Sequence, residues 1–161
     1  MLNQAVADFV SARLPGAEIL VSGDSTASGH QAAAAVGSDV ARIGKSVVFV
    51  SGDRSAVVLI SAAKRVSREK LRKAAGDARL RVAGPEEVAQ RTGYVVGGVS
   101  PLVIPDGVDL FVDSGLFKFE AVWVSAGSPN SVVELSATQL RELFGARSYD
   151  LGEDMDLGSQ T

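Results

Sequence analysis

The spacing of apolar residues along the chain predicts helices and strands that alternate irregularly. Near the N-terminus, apolar positions recur at helical spacing and predict a helix that ends at Pro15-Gly16: Leu2, Val6, Phe9, Val10 and Leu14. Runs rich in apolar and β-branched residues, bounded by turn residues, predict strands at 17–22, 43–51, 56–62, 80–83, 109–113, 121–126 and 132–135. The second and third of these flank a turn at 52–54, so we expect a hairpin.

Local start and stop signals place four further helices. The positions that begin them are Ser28 with Gln31, Ser67, Pro85, and Ser136 with Gln139. Residues 94–108 are rich in Gly and Pro and have no clear period. The element order predicts an α/β protein with a mixed, curved sheet rather than a regular doubly wound one. We expect a single domain over 1–149 and a polar, frayed and flexible tail over 150–161.

Composition narrows the possible chemistry. The chain has 161 residues, of which 46% are hydrophobic and 22% charged, as expected for one globular domain. It has no cysteine, which excludes disulfides, thiolate metal sites and a cysteine nucleophile. The single histidine, His30, rules out a multi-histidine metal site and more often faces solvent than catalyses. There is no basic signal-peptide region and no apolar stretch of membrane-spanning length, so we expect a cytoplasmic protein without membrane contact.

Charge is distributed unevenly along the chain. The net charge of −3 argues against strong binding to bulk nucleic acid. The stretch from Lys64 to Arg81 nevertheless contains eight basic and two acidic residues, while acids gather in the tail. This stretch is either a solvated helix face or a basic patch that binds one defined nucleic acid. The candidates for nucleic-acid contact are Lys64, Arg65, Arg68, Lys70, Arg72 and Lys73.

Lys45 stands out within the predicted strand 43–51. Alternate residues of a strand share a face, so Lys45 lies in one row with Ile43, Val47 and Phe49. The opposite row is also mostly apolar, which is typical of a strand covered on both sides. A lysine there must find anionic or carbonyl partners or lose its charge. Two interpretations stay open: a cation at the mouth of a pocket, or a strand-end lysine that extends to water.

A glycine pair lies within the segment 92–101, which has the sequence TGYVVGGVSP. Gly97 and Gly98 allow a ligand to approach the backbone closely and expose amide groups. Such amides can stabilise a developing oxyanion. The alternative is an ordinary glycine turn.

Several segments, taken in order, carry a resemblance to a known family. The first is SGHQAAAAVG at 28–37 with IGKSVVF at 43–49. The second is LRVAGPEEV at 80–88 with TGY at 92–94 and GGVSP at 97–101. The last is VWVSAG at 122–127 with VELS at 133–136. Over residues 28–144 the chain resembles the YbaK / prolyl-tRNA synthetase-associated editing domain family.

The resemblance implies a mixed, barrel-like sheet with flanking helices and a pocket for the aminoacyl end of tRNA. Family members hydrolyse the ester that joins a wrong amino acid to the terminal ribose, either in trans or as an insertion in prolyl-tRNA synthetase. Carried over by motif, Lys45 holds the terminal phosphate or the ester carbonyl, and Gly97 and Gly98 offer backbone groups to the reacting end. The further substrate-binding positions implied are Ser46, Ser100, Pro101 and Ser125. The resemblance implies no metal or other cofactor.

The resemblance leaves the amino acid open. The branch that clears alanine from tRNA(Pro) typically has Asn after the lysine and His near the last strand, where this chain has Ser46 and the run 131–133. The branch that clears cysteine usually has Asp there, and this chain has Val132. We expect a trans-acting aminoacyl-tRNA deacylase, monomeric or homodimeric, that acts on tRNA(Pro) or a related tRNA carrying a small wrong amino acid. An aminoacyl-tRNA synthetase is a candidate partner.

Two other functions remain compatible with the sequence. The first is a non-catalytic tRNA- or nucleic-acid-binding module, which the basic stretch favours. The aromatic content of 6% disfavours it, because few side chains are available to stack on bases. The second is a dimeric regulatory or scaffold domain whose pocket has lapsed, and the retained Lys45 and glycine pair argue against it.

Overall fold

Two long neighbouring strands, β2 (Ile43–Ser51) and β3 (Arg54–Ser61), form the predicted hairpin. The computed structural model describes residues 3–155, so Leu2 of the first predicted helix and residues 156–161 of the predicted tail lie outside the described part. The other strands are β1 (Ile19–Val21), β4 (Lys64–Val66), β5 (Arg81–Val82), β6 (Val108–Asp113), β7 (Ala121–Ser125), β8 (Ser131–Ser136), β9 (Ser148–Tyr149) and β10 (Gly152–Asp154). The helices are α1 (Gln4–Arg13), α2 (Gly29–Val36), α3 (Arg68–Ala75), α4 (Pro85–Thr92) and α5 (Ala137–Phe144).

The sheet is mixed, which confirms the predicted α/β architecture with flanking helices. Its strand order is β1-β8-β7-β2-β3-β6-β9, and β5 pairs with β2 beside this path. The pairs β2–β7, β3–β6 and β6–β9 are parallel, whereas the other pairs of this sheet are antiparallel. Within residues 3–155 no pairing joins the end strands β1 and β9, so the sheet is not a closed barrel.

Both faces of β3 are buried, which explains its almost unbroken apolar sequence. On one face Leu59 belongs to a cluster with Val6 of α1 and Leu140 of α5. On the other face Ile60 belongs to a cluster with Leu71 of α3. All five side chains are fully buried, and burying each contributes about 1.5–3 kcal/mol. Helices therefore cover the centre of the sheet from both sides and hold β2 in place next to β3.

The helices begin where the sequence predicted. Ser28 Oγ accepts a hydrogen bond from Gln31 N at 3.1 Å, and Gln31 Oε1 accepts one from Ser28 N at 3.1 Å. Ser136 and Gln139 form a second capping box at the start of α5. These contacts span only three residues, so they could be predicted from local sequence. Among residues 3–155, no helix has both the length and the apolar character needed to cross a bilayer.

The segment 150–154 is part of the folded protein, so the frayed tail that we predicted was wrong for these residues. Leu151 is fully buried, and β10 pairs antiparallel with β4, a short strand that we did not predict. Asp113 Oδ1, at the end of β6, accepts hydrogen bonds from Leu151 N at 2.9 Å and Gly152 N at 3.2 Å. The segment is polar, but the carboxylate that anchors it lies far away in the sequence and gives no local signal.

We expect Asp113→Ala to lower the free energy of unfolding by about 1–3 kcal/mol, because two main-chain amides lose their acceptor. Asp113→Asn keeps an acceptor oxygen and should lose less. Urea unfolding measures both variants, and hydrogen exchange at the amides of Leu151 and Gly152 locates the effect. An Ala variant as stable as the wild type, with unchanged exchange, would contradict this anchoring role.

Candidate active site

Strand β2 lacks a neighbour on one side over its middle residues. On the first side it pairs with β3 over its length. On the other side it pairs with β7 only at Ile43 and Gly44, and with β5 only at Phe49 and Val50. The sheet therefore has a gap beside residues 45–47, between two short strand pairings.

Ser46 directs its main-chain groups into this gap. In an antiparallel pair, successive residues turn their N–H and C=O groups to alternate sides. Ile43 O accepts a hydrogen bond from Ala62 N at 2.7 Å on the β3 side, and Val48 O accepts one from Ala83 N at 2.9 Å on the β5 side. Odd-numbered residues of β2 therefore face β3, and even-numbered residues face away from it. Ser46 is the even-numbered residue between the two pairings, so its N–H and C=O have no strand partner there.

A cavity of about 250 Å³ lies at the gap. Its wall includes Val124 of β7 and Val82 of β5, which flank the gap, together with Val96 of the glycine-rich loop. Polar residues interrupt this mainly apolar wall at Thr26, Ser28, Lys45, Ser46 and Ser125. Ligand pockets for drug-sized molecules typically have about 300–1,000 Å³, so this cavity suits a smaller group.

Lys45 is half-buried at the boundary between this cavity and a second groove. Burial lowers the pKa of its ammonium group, and no charged or hydrogen-bonding partner within residues 3–155 offsets that effect. A cation that has lost part of its hydration without gaining a partner favours an anion or a carbonyl that enters beside it. Lys45 is therefore suited to bind a ligand rather than to stabilise the fold.

The groove next to the cavity carries further cations. It shares Lys45 and Val82 with the cavity, and its wall also contains Arg65 and Arg68. Glu153 of β10 lines it as well. A ligand seated in the cavity can thus extend a negatively charged part into a groove with three basic side chains.

The hydroxyl of Ser46 is buried without a partner. It is the one buried side-chain polar atom within residues 3–155 that makes no hydrogen bond. Ser61 on the adjacent strand is also buried, but its Oγ donates to Ala41 O at 2.7 Å and accepts from Ala63 N at 3.2 Å. Leaving a buried hydroxyl unpaired costs about 1–3 kcal/mol, so Ser46 does not serve stability.

The glycine pair has two separate roles. Gly97 lines the cavity at φ +81°, and a Cβ there would lie 2.5 Å from Ala27 Cβ, so only glycine fits this close approach. Gly98 is outside the cavity wall, and its N–H donates to Val95 O at 2.9 Å. The expectation that Gly98 offers a free amide to the reacting end is therefore wrong, because that amide closes a turn.

Of the other predicted substrate-binding residues, only some lie at the cavity. Ser125 lines the cavity, and its Oγ accepts a hydrogen bond from Gly127 N at 3.2 Å. Ser100 is fully buried outside the cavity wall, where its Oγ accepts from Leu102 N at 3.3 Å. Pro101 borders a different depression. Ser100 and Pro101 do not line this cavity, because the chain leaves its wall after Val99.

Most of the predicted basic patch is paired with other parts of the chain. The ion pairs are Lys64 with Asp154, Arg65 with Glu153 at 2.9 Å, and Lys70 with Asp150 at 3.1 Å. Arg72 donates to Leu80 O instead. Among residues 3–155, Arg68 and Lys73 keep exposed side chains without such a contact. The patch therefore carries less free positive charge than its sequence suggests.

Sequence reasoning missed the residues across the gap from Lys45. Val82 and Val96 line the cavity although they are 44% and 55% exposed, and Trp123 also contributes to the wall. Arg81 fixes the position of β5 through two hydrogen bonds of 2.9 Å to Glu87, and this contact lowers the pKa of the Glu87 carboxyl to about 2. Exposed valines in a two-residue strand and a loop are the only sequence signal for this wall, and such residues are common on surfaces.

Known proteins share this architecture. A sequence model of the aminoacyl-tRNA editing domain matches residues 24–143. Uncharacterized protein YwhH of Bacillus subtilis is 35% identical over 120 residues, which cover 73% of this chain and 75% of that protein. The Enterococcus faecalis protein named "Putative Cys-tRNA(Pro)/Cys-tRNA(Cys) deacylase EbsC" is 26% identical over 125 residues, which cover 77% of this chain and 76% of that protein.

A solved structure agrees with these matches. It is described as a "putative trans-editing enzyme for prolyl tRNA synthetase" and superimposes with a TM-score of 0.82 and 32% sequence identity. The superposition covers 93% of this chain and 96% of the other. Fold and sequence thus define a protein with an editing-type α/β domain. The chain belongs to the aminoacyl-tRNA editing domain family, which confirms the resemblance seen in the sequence.

We expect Ser46→Ala to leave the free energy of unfolding unchanged or to raise it, because the lost hydroxyl makes no hydrogen bond. Ser61→Ala is the matched control on the adjacent strand and should lower the free energy of unfolding by about 1 kcal/mol, since it removes two hydrogen bonds. Urea unfolding of both variants measures the difference. Equal destabilisation by the two changes would contradict the assignment of Ser46 to the site.

Proposed function

We propose that this protein is a trans-acting aminoacyl-tRNA deacylase that hydrolyses the ester of a mischarged tRNA. The observation that carries the proposal is the gap in the sheet. There a half-buried Lys45 and the main-chain groups of Ser46, all without a partner in the part of the chain that the structure describes, border a small apolar cavity. The family membership supports the same reaction class. Editing of charged tRNA would place the protein in the cytoplasm, where translation occurs.

The chemistry requires little from the protein, because an aminoacyl ester is already activated. Water attacks the ester carbonyl carbon, the bond to the ribose oxygen breaks, and that oxygen leaves with a proton. The site has to orient the ester, stabilise the oxyanion and admit the water. Lys45 supplies positive charge, and Gly97 contributes main-chain atoms to the cavity wall. His30 is exposed and outside the cavity wall, so it takes no part.

The size of the cavity determines which amino acids enter. A small side chain fits against the mainly apolar wall, and the proposal requires that the space beside the bound ester be too small for the larger, correct amino acid, as in double-sieve editing. The substrate is accordingly a tRNA that carries a small wrong amino acid. One relative is named for Cys-tRNA(Pro) and Cys-tRNA(Cys), and the solved relative is described in relation to prolyl-tRNA synthetase. These names support tRNA(Pro) or a related tRNA as the substrate.

The groove beside the cavity binds the phosphates of the acceptor end. Lys45 reaches both sites, and Arg68 is exposed in the groove without an ion pair among the described residues. Arg65 shares its charge with Glu153 and contributes less. A non-catalytic nucleic-acid-binding module remains the alternative, but the pairing of Lys64, Arg65 and Lys70 with acids disfavours it.

The proposal predicts that the purified protein deacylates at least one tRNA charged with Ala, Ser, Thr or Cys. Lys45→Ala should lower kcat/KM by about 100-fold, because the site loses its unpartnered cation. The same change should not lower the free energy of unfolding, because the wild-type ammonium pays a desolvation cost without a compensating ion pair. Release of radiolabelled amino acid measures the rate. If micromolar protein leaves all four charged tRNAs intact, the proposed function is wrong.

Arg68→Ala tests the groove. It should raise KM for the charged tRNA without changing kcat, and it should reduce the slope of log affinity against log salt by about 0.7–0.9. Arg13→Ala on α1 removes the same charge beside a different depression and should change neither value. Filter binding between low and moderate salt gives both slopes. An identical response of the two variants would show that the groove does not contact the tRNA.

A further inference from the structure

The gap beside β2 leaves room for one residue of an extended chain. Gly44 is the last residue of β2 paired with β7, and Val48 O is already bonded to Ala83 N of the β5 end. Between them only Ser46 turns its N–H and C=O toward the cavity. The free edge thus presents one donor and one acceptor that belong to the same residue.

A single amino acid can satisfy both of these groups in one orientation. In an antiparallel ladder, two opposite residues of a hydrogen-bonded pair exchange both of their N–H···O bonds. In a parallel ladder, the two bonds of one residue go to two different residues of the partner, so one amino acid cannot provide them. Addition of an extended segment to a free strand edge is a known mode of peptide recognition.

We propose that the amino-acid part of the substrate binds as a one-residue antiparallel strand to the main chain of Ser46. The α-ammonium group donates to Ser46 O, and the ester carbonyl oxygen accepts from Ser46 N–H. This inference rests on the proposed function and deepens it, because it defines the substrate class as esters of α-amino acids with a free amino group.

The orientation determines where each end of the ligand lies. An antiparallel ligand opposite Ser46 runs with its amino end toward β5 and its ester end toward β7. A group attached to the amino nitrogen would lie opposite Val47. The next residue of β2, Val48, already accepts a hydrogen bond from Ala83 N, so the end of β5 borders this position. The ligand side chain shares the face of the Ser46 side chain, where Val88, Val99 and Val124 belong to the cavity wall.

N-acylation is the change that this geometry tolerates least. An acyl group on the α-nitrogen removes the positive charge from the donor, and charge-assisted hydrogen bonds are stronger than neutral ones. It also inserts atoms where the end of β5 borders the gap. An N-acetylated amino acid should therefore bind about tenfold more weakly or worse.

The test uses the full chain labelled with ¹⁵N and a ligand that cannot be hydrolysed, 3′-(L-alanylamino)-3′-deoxyadenosine, with its N-acetyl form as the matched control. We expect the Ser46 amide proton to move downfield on titration with the free-amine ligand and to shift more than the other amides of β2. The Kd of the N-acetyl form should be higher than that of the free-amine ligand by about tenfold or more.

Three results would overturn the inference: equal Kd for the two ligands, binding that leaves the Ser46 amide unshifted, or no binding at millimolar ligand. Deacylation of Ala-tRNA and N-acetyl-Ala-tRNA is measured in parallel. Cleavage of both at equal rates would refute this inference and keep the proposed function. Specific binding at Ser46 without cleavage of any charged tRNA would support this inference and refute the proposed function.

Discussion

The structure depends on one constraint, the pairing of main-chain hydrogen-bonding groups along strand β2. Buried N–H and C=O groups in proteins are almost always paired, because an unpaired one costs about as much as a lost hydrogen bond. β3 satisfies one side of β2 over its whole length. The other side is divided between β7 and β5, which meet it at its two ends. The cavity exists because neither of these neighbours reaches the middle.

The two residues of β2 beside the gap, Lys45 and Ser46, reduce local stability. As far as the described residues show, Lys45 is partly desolvated without a counter-ion, and the Ser46 hydroxyl is buried without a partner. The surroundings compensate for this, because β3 is buried on both faces by well-packed aliphatic side chains. A ligand that supplies an anion would relieve the deficit at Lys45. Stability and ligand binding are therefore divided between two adjacent strands.

The sequence predicted the features that depend on short-range interactions. The strand 43–51 and the helix starts at Ser28, Ser67 and Ser136 agree with the structure, because β-branched runs and capping boxes act within a few residues. The gap could not be predicted, because it arises from the register of strands that are distant in sequence. The pairing of the acidic segment with the basic stretch joins residues 80–90 positions apart and was also missed. Gly98 failed for a different reason, since a glycine pair alone does not show which amide closes a turn.

The acidic strand β10 has a consequence for how long any polyanion would stay bound to the protein. Its carboxylates supply internal counter-charges to cations that would otherwise attract every phosphate backbone. A polyanion that arrives must replace these contacts, so general attraction is weak and only a ligand whose end also fills the cavity gains further binding energy. Selectivity for a ligand that fills the cavity would then come from rapid dissociation of every other polyanion and not from tight capture of all of them.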